Sequence, residues 1–218
     1  MTLDKLLSRS AALQQMLGGF FALPLVDSSS RLQASQMLAS LGFEHAQSFK
    51  HLIAAGLYTS AAALLRVQYE SLVRALWILY VATDNQTELM VSELTHESAK
   101  KAKRIPMLSE MLEEIEQKAP HAPLAHLKEF KHYSWRPLSS FVHGGIHAIN
   151  RHGQGFPQEL VLTLVRHSNG LLGMAGNLLL ILAGVPPEAG QMAKVYAEFQ
   201  DCLPLVDPPY RRLPDPAN

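Results

Sequence analysis

The chain has 218 residues, 48% of them hydrophobic, with 19 basic against 19 acidic side chains. That length suits one domain with a sizeable core, and zero formal net charge excludes a global basic field that would gather nucleic acid. Its one cysteine, Cys202, excludes an internal disulfide and lacks the spacing of a zinc or redox motif, which fits a reducing cytoplasm.

Asp4, Arg9, Gln14 and Gln15 interrupt the first turns, so no secretory leader is expected. No stretch alternates apolar and polar residues as a half-buried strand does. Apolar positions recur instead at helical spacing, which predicts an all-α helical bundle. A first helix is expected from about Leu3 to Leu17, ended by Gly18-Gly19. A second, capped within Asp27–Ser30, should reach about Ala55. A third, capped at Thr59 or Ser60 and running to about 83, is apolar around most of its circumference and should be central.

Residues 85–118 are the most charged stretch and predict two amphipathic segments broken at Pro106, lying on the surface or as a lid. Pro120 and Pro123 mark a boundary. A helix from Leu124 to about Tyr133 should meet Pro137, and a new one should start there and run to about Asn150, since proline suits a helix's first turn. Residues 151–158 read as a loop. A long apolar helix is expected over 158–182. Its apolar run, Gly170–Gly184, falls short of the roughly 20 residues of a membrane span and contains Asn177. A short helix follows. The organisation is therefore one bundle over 1–202 and a proline-rich extended or disordered tail over 203–218.

The segment from His132 to His152, HYSWRPLSSFVHGGIHAINRH, concentrates candidate chemistry. On a helix beginning at Pro137, Ser139, Ser140, His143 and His147 share a flank, with Arg136 two turns before His143. Gly144 and Gly145 open space beside the imidazole. Arg-x6-His has a chemical logic. A neutral imidazole moves a proton at a hydroxyl, while a guanidinium grips phosphate oxygens. RNA carries its own 2′-hydroxyl nucleophile, so Arg136 and His143 are a minimal metal-independent phosphodiester-cleaving pair. The alternative is a polar seam between helices. On the third helix Arg66, Glu70 and Arg74 stand at four-residue steps. Charges on a central helix must be paired, so a ladder Arg66–Glu70–Arg74 is expected, either as a structural network or as support that orients His143.

A metal site competes: His143-x3-His147 is a two-ligand step, with His152 beyond it and Glu70, Glu44 or His45 on neighbouring helices. Glu44 and His45 are adjacent and point apart, unlike the Glu-x-x-His pair of di-iron bundles, and no cofactor is expected. The basic run Ala99–Arg104 is either an RNA contact or a solvated helix face. Phosphate-binding loops, HExxH and GxSxG are absent.

The helix AAALLRVQYESLVRALWILY followed by YSWRPLSSFVHGG resembles bacterial all-helical proteins related to the HEPN superfamily and its abortive-infection branches. The matches are Arg66 and Glu70, then Leu138, Ser139 and His143, with Tyr133 near but off the expected step and Arg136 to His143 as the Arg–spacer–His element. Pro137 stands where that family often has a polar residue. The resemblance implies a metal-independent endoribonuclease or a degenerate relative in toxin–antitoxin or phage-defence settings. It further implies RNA as substrate, an antitoxin or other protein partner, and a homodimer. The contrasting reading is a non-catalytic helical interaction module. Neither reading calls for a membrane.

Overall fold

The computed structural model describes residues 1–103, 105–119 and 124–204, Tyr133 by its backbone alone. The Pro120–Pro123 boundary, Arg104 of the basic run, the Tyr133 side chain and the tail beyond Pro204 lie outside the described residues. Among those described, every regular element is helical, as the periodicity predicts. In chain order they are α1 (Leu3–Gly18), α2 (Ser30–Ala54), α3 (Tyr58–Tyr80), α4 (Asp84–Val91), α5 (His96–Ala102), α6 (Leu108–Lys118), α7 (Leu124–Val142), α8 (Ile146–Gln154), α9 (Gln158–Leu182) and α10 (Gln191–Phe199). No helix among the described residues is long and apolar enough to cross a membrane.

The centre is α3, which packs against α2, α6, α7 and α9. It buries Leu65, Tyr69, Leu72, Val73, Leu76 and Trp77. Small residues set its approach to α2. A Cβ added to Gly42 would lie 3.9 Å from Ser71 Cβ, and Ser35 donates across the seam to the Ala75 carbonyl at 3.0 Å. That close fit satisfies a buried hydroxyl and brings two backbones together. Towards α9 the tie is polar and reciprocal: Gln68 donates to the Ser168 carbonyl at 3.0 Å, and the Ser168 hydroxyl donates back to Gln68 Oε1 at 2.7 Å.

The charged stretch departs from two segments. It forms three short helices, because Thr83 and Thr95 each build a capping box, with Gln86 and Ser98 respectively, and so start separate helices. Nor is α6 merely a lid. It buries Leu108, Met111, Leu112 and Ile115 on α3, and Trp77 Nε1 donates to Glu114 at 2.8 Å.

The break expected at Pro137 is not there. Helix α7 runs unbroken through Pro137. Trp135, Leu138 and Phe141 on either side of the proline pack on the core, and that burial outweighs the local cost of the ring. The Ser139 hydroxyl back-bonds to the Trp135 carbonyl at 2.7 Å across the same turn. The chain breaks instead at His143–Gly145, where Gly144 takes φ +63°. Helix α8 then starts at Ile146 and includes residues 151–154, which were expected in a loop.

A buried polar nest joins α1, α2, α9 and the segment after α10. Asn169 donates to Ser10 Oγ at 2.7 Å and to the Cys202 carbonyl at 2.8 Å. Lys50, only 8% exposed, donates from Nζ to the Ser10 carbonyl at 3.4 Å and to Gln14 Oε1. Arg9 pairs with Asp201 at 3.2 Å and lies 4.6 Å over the Phe199 ring. Leu203 and Pro204, assigned to the tail, still pack on the bundle. Leu203 joins the core edge, and Pro204 lies close over Gly170. Burial pushes the Lys50 ammonium down to about 8, and burial pushes the Cys202 thiol up to about 11.

Two outcomes follow from these placements. Folded Lys50 loses its proton near pH 8, the unfolded side chain near 10.5, so the cost of burying its charge is complete below pH 8 and fades as pH rises to 10.5. Cys202 acts in the opposite sense over an overlapping range, so the difference between Lys50→Met and wild type is the clean readout. Denaturant titrations should show the variant's stability relative to wild type falling by about 3 kcal/mol across that window, at about 1.4 kcal/mol per pH unit. A pH-independent difference would contradict a buried, perturbed lysine. Separately, Gly144→Ala should cost about 1–2 kcal/mol, because a side chain is strained at positive φ. An unchanged unfolding midpoint would contradict the break at Gly144.

Candidate functional site

The site is built on Arg66, which lies on the central helix α3. A guanidinium there needs partners that replace water. Glu70, one turn on, accepts from Arg66 Nε at 2.8 Å. Trp135 of α7 lies beneath the guanidinium, with its ring centroid 4.3 Å from Cζ. His143, just beyond α7, presents Nε2 3.4 Å from Arg66 Nη1. The Arg66 side chain is 15% exposed and Glu70 26%, so the ion pair stands at the edge of the core, partly shielded from solvent screening.

Arginine has five donors and no acceptor. The contact with His143 therefore has one reading: Nη1 donates and Nε2 accepts. A protonated ring would set two cations against each other. The bond is long, which leaves the imidazole easily displaced.

Trp135 is fixed from behind. Its ring meets Tyr69 edge-on at 6.1 Å, Tyr69 stacks on Phe130 at 4.7 Å, and the Tyr69 hydroxyl donates to the Leu127 carbonyl at 2.9 Å. An aromatic wedge thus locks α7 onto α3 and carries His143 to Arg66. Trp135 escaped the sequence reading. Its signal was an aromatic three residues before Leu138, in phase with the buried face of α7.

The other candidates are distributed differently. Arg136 is exposed on α7, seven residues before His143, with no hydrogen bond or ion pair among the described residues. Arg74 is half-buried and likewise makes no ion pair there, so the expected ladder has one rung, Arg66–Glu70. Ser139 spends its hydroxyl on the Trp135 carbonyl. Ser140 holds the turn: its hydroxyl accepts from the His147 backbone N–H at 2.9 Å, and its carbonyl accepts from Gly145 N–H at 2.8 Å. A Cβ at Gly145 would fall 2.6 Å from Ser140 Oγ, so this glycine serves close approach. His147 lies on α8, past the break, and does not share a helix face with His143 as expected. His143, His147 and His152 are all exposed. Among the described residues no three His, Cys, Asp or Glu side chains gather closely enough to hold a metal ion, and neither Glu44 nor His45 completes such a group.

Beside His143 lies an apolar surface. Val142 is 40% exposed, Ile146 77% and Ile149 71%, while Ala148 alone on α8 is buried. On the other flank Phe141 contacts Phe156 at 5.8 Å, and Phe156 lines an open cleft of about 250 Å³ with Leu3, Tyr58, Gln158, Val161 and Leu162.

Chemically, the arrangement offers an imidazole with an accepting nitrogen, a guanidinium against it, a carboxylate that orients the guanidinium, and a second, exposed arginine seven residues before the imidazole. These groups suit proton transfer beside an anionic oxygen. No curated protein and no solved structure matches the chain. Residues 39–205 match DUF6988, a family of unknown function, over more than half the chain and across the whole of this site. The chain belongs to that family.

Proposed function

We propose that this protein is a HEPN-like, metal-independent endoribonuclease, or a degenerate relative of one, with His143 as the proton-transfer group. The observation that carries the reading is the contact between Arg66 and the accepting Nε2 of exposed His143. His143 would take the proton of an RNA 2′-hydroxyl. The 2′ oxygen would then bond to phosphorus, and the bond to the 5′ oxygen would break, leaving a 2′,3′-cyclic phosphate. Arg66 and Arg136 would hold the phosphate oxygens, Glu70 would orient Arg66, and Arg74 would add positive charge behind it. Ser139, Ser140 and His147 serve the turn that presents the imidazole. A toxin–antitoxin or phage-defence role in the cytoplasm, with a protein antitoxin, accompanies this reading. A second reading, a non-catalytic interaction module, draws on the exposed Val142, Ile146 and Ile149. The same surface supports a homodimer that would bring two His143 sites near each other.

Incubation of wild type and His143→Ala with mixed cellular RNA tests the enzyme reading. Wild-type cleavage should persist in EDTA and leave cyclic phosphate ends, and the variant should be slower by roughly 10²–10⁴-fold. Absent cleavage by both across a broad RNA panel would contradict the nuclease. Light scattering checks the companion claim: a dimer at micromolar concentration that Ile146→Asp converts to monomer is expected, and a wild-type monomer contradicts it.

A further inference from the structure

In the ligand-free arrangement His143 has its accepting nitrogen engaged. Its Nε2 lone pair accepts from Arg66 Nη1 at 3.4 Å, and the neutral ring's one proton must then sit on Nδ1. A group that is to receive a proton is held with its accepting atom covered. The covering donor is a guanidinium, and its stronger preference is for an anionic oxygen in bidentate geometry.

The rest of the guanidinium is anchored. Glu70 takes Nε at 2.8 Å, and the Trp135 ring supports one face at 4.3 Å. The Nη1 contact to His143 is the longer of the two hydrogen bonds and the one made to an exposed partner. An anion arriving from solvent competes for that donor and leaves the anchored side in place. Exposed Arg136, two turns earlier on α7, adds attraction from the open side. His143 lies past the end of α7 at Val142, in the turn that Gly144 makes at φ +63°, so the ring can swing without bending a helix.

We propose that Arg66 is a phosphate-operated gate on His143: a backbone phosphodiester takes the guanidinium donor, uncovers Nε2, and so creates the base only when substrate is seated. The inference rests on the nuclease reading for its ligand, a phosphodiester, and makes Arg66 a positioning residue for His143 as well as a phosphate contact. In the uncovered state Nε2 takes the 2′-hydroxyl proton, the 2′ oxygen bonds to phosphorus, and the leaving 5′ oxygen takes a proton from water. Without substrate the covered imidazole does not react, which gives an isolated protomer protection against adventitious proton transfer.

The test is nitrogen-15 NMR of the histidine rings on the full chain, with the His143 signals assigned by their loss in His143→Ala. In neutral, wild-type protein His143 should show a single tautomer, Nδ1 protonated and Nε2 bare. Dimethyl phosphate, a diester without a base, should remove that pattern, and sodium chloride at matched ionic strength should not. In Arg66→Met, which keeps an apolar stem over Trp135, the two tautomers should exchange without any phosphate. The wild-type titration stands even if this variant fails to fold. Exchanging tautomers in the wild type would overturn the gate, as would a single tautomer that survives saturating dimethyl phosphate. An equal response to chloride would overturn it too, because screening and not a seated phosphate would then release the ring. Release by inorganic phosphate but not by dimethyl phosphate would overturn the assignment to a backbone diester. A gate that responds as expected in a protein that cleaves no RNA would sink the nuclease reading and leave the gate standing.

Discussion

One constraint organises this molecule: a charge sits on its central helix. Arg66 belongs to α3, which packs against α2, α6, α7 and α9. Removing a guanidinium from water is costly unless its donors and its face are all partnered. Glu70 supplies the carboxylate from the same helix, but the other contacts must come from elsewhere in the chain. They come from α7, through Trp135, and from the turn after it, through His143. Satisfying one charge therefore ties α7 and the turn after it to α3.

The aromatic wedge makes this possible. Tyr69 stacks on Phe130 and meets Trp135 edge-on, with its hydroxyl spent on a carbonyl of α7. Burial raises the phenol far above its usual range, so the ring remains a neutral donor at any physiological pH. On the opposite side of α3, the Gln68–Ser168 pair and the small residues facing α2 hold the helix in register. The mobile chemistry is thus confined to the rim, where His143, Arg136 and the glycine turn meet solvent, while the group that addresses them is rooted in the core. A rigid support beneath an exposed reactive group is what precise proton transfer requires.

Much of the fold was legible in the sequence, because helical periodicity and glycine stops act locally. Helix α9 falls on its predicted 158–182 limits, and α1, α2 and α3 start and end within a few residues of expectation. Pro137 shows where local reasoning ends. A proline favours a helix start, but Leu138 and its apolar neighbours bury on the core, and their packing carries the helix through. The two glycines were read as space beside His143, yet Gly144 needed its positive φ to be seen as the break. At the site, Arg66, Glu70 and His143 were all named. Spacing, however, paired His143 with Arg136 on its own helix, whereas the contacting cation stands 77 residues earlier in the chain. Contacts between distant helices leave no trace in local spacing. For the same reason the Lys50 nest, drawn from four separate parts of the chain, was invisible.

The central claim is that Arg66 grips α7 across the helix interface, and a double-mutant cycle on stability tests it most directly. Arg66→Met, Trp135→Leu and the double variant are compared with wild type by denaturant unfolding. A cation seated on a partly desolvated indole should give a coupling of about 1 kcal/mol, so the double variant should lose less than the sum of the two single losses. Additivity within about 0.3 kcal/mol would mean that the two side chains do not act as a unit, and would contradict the account.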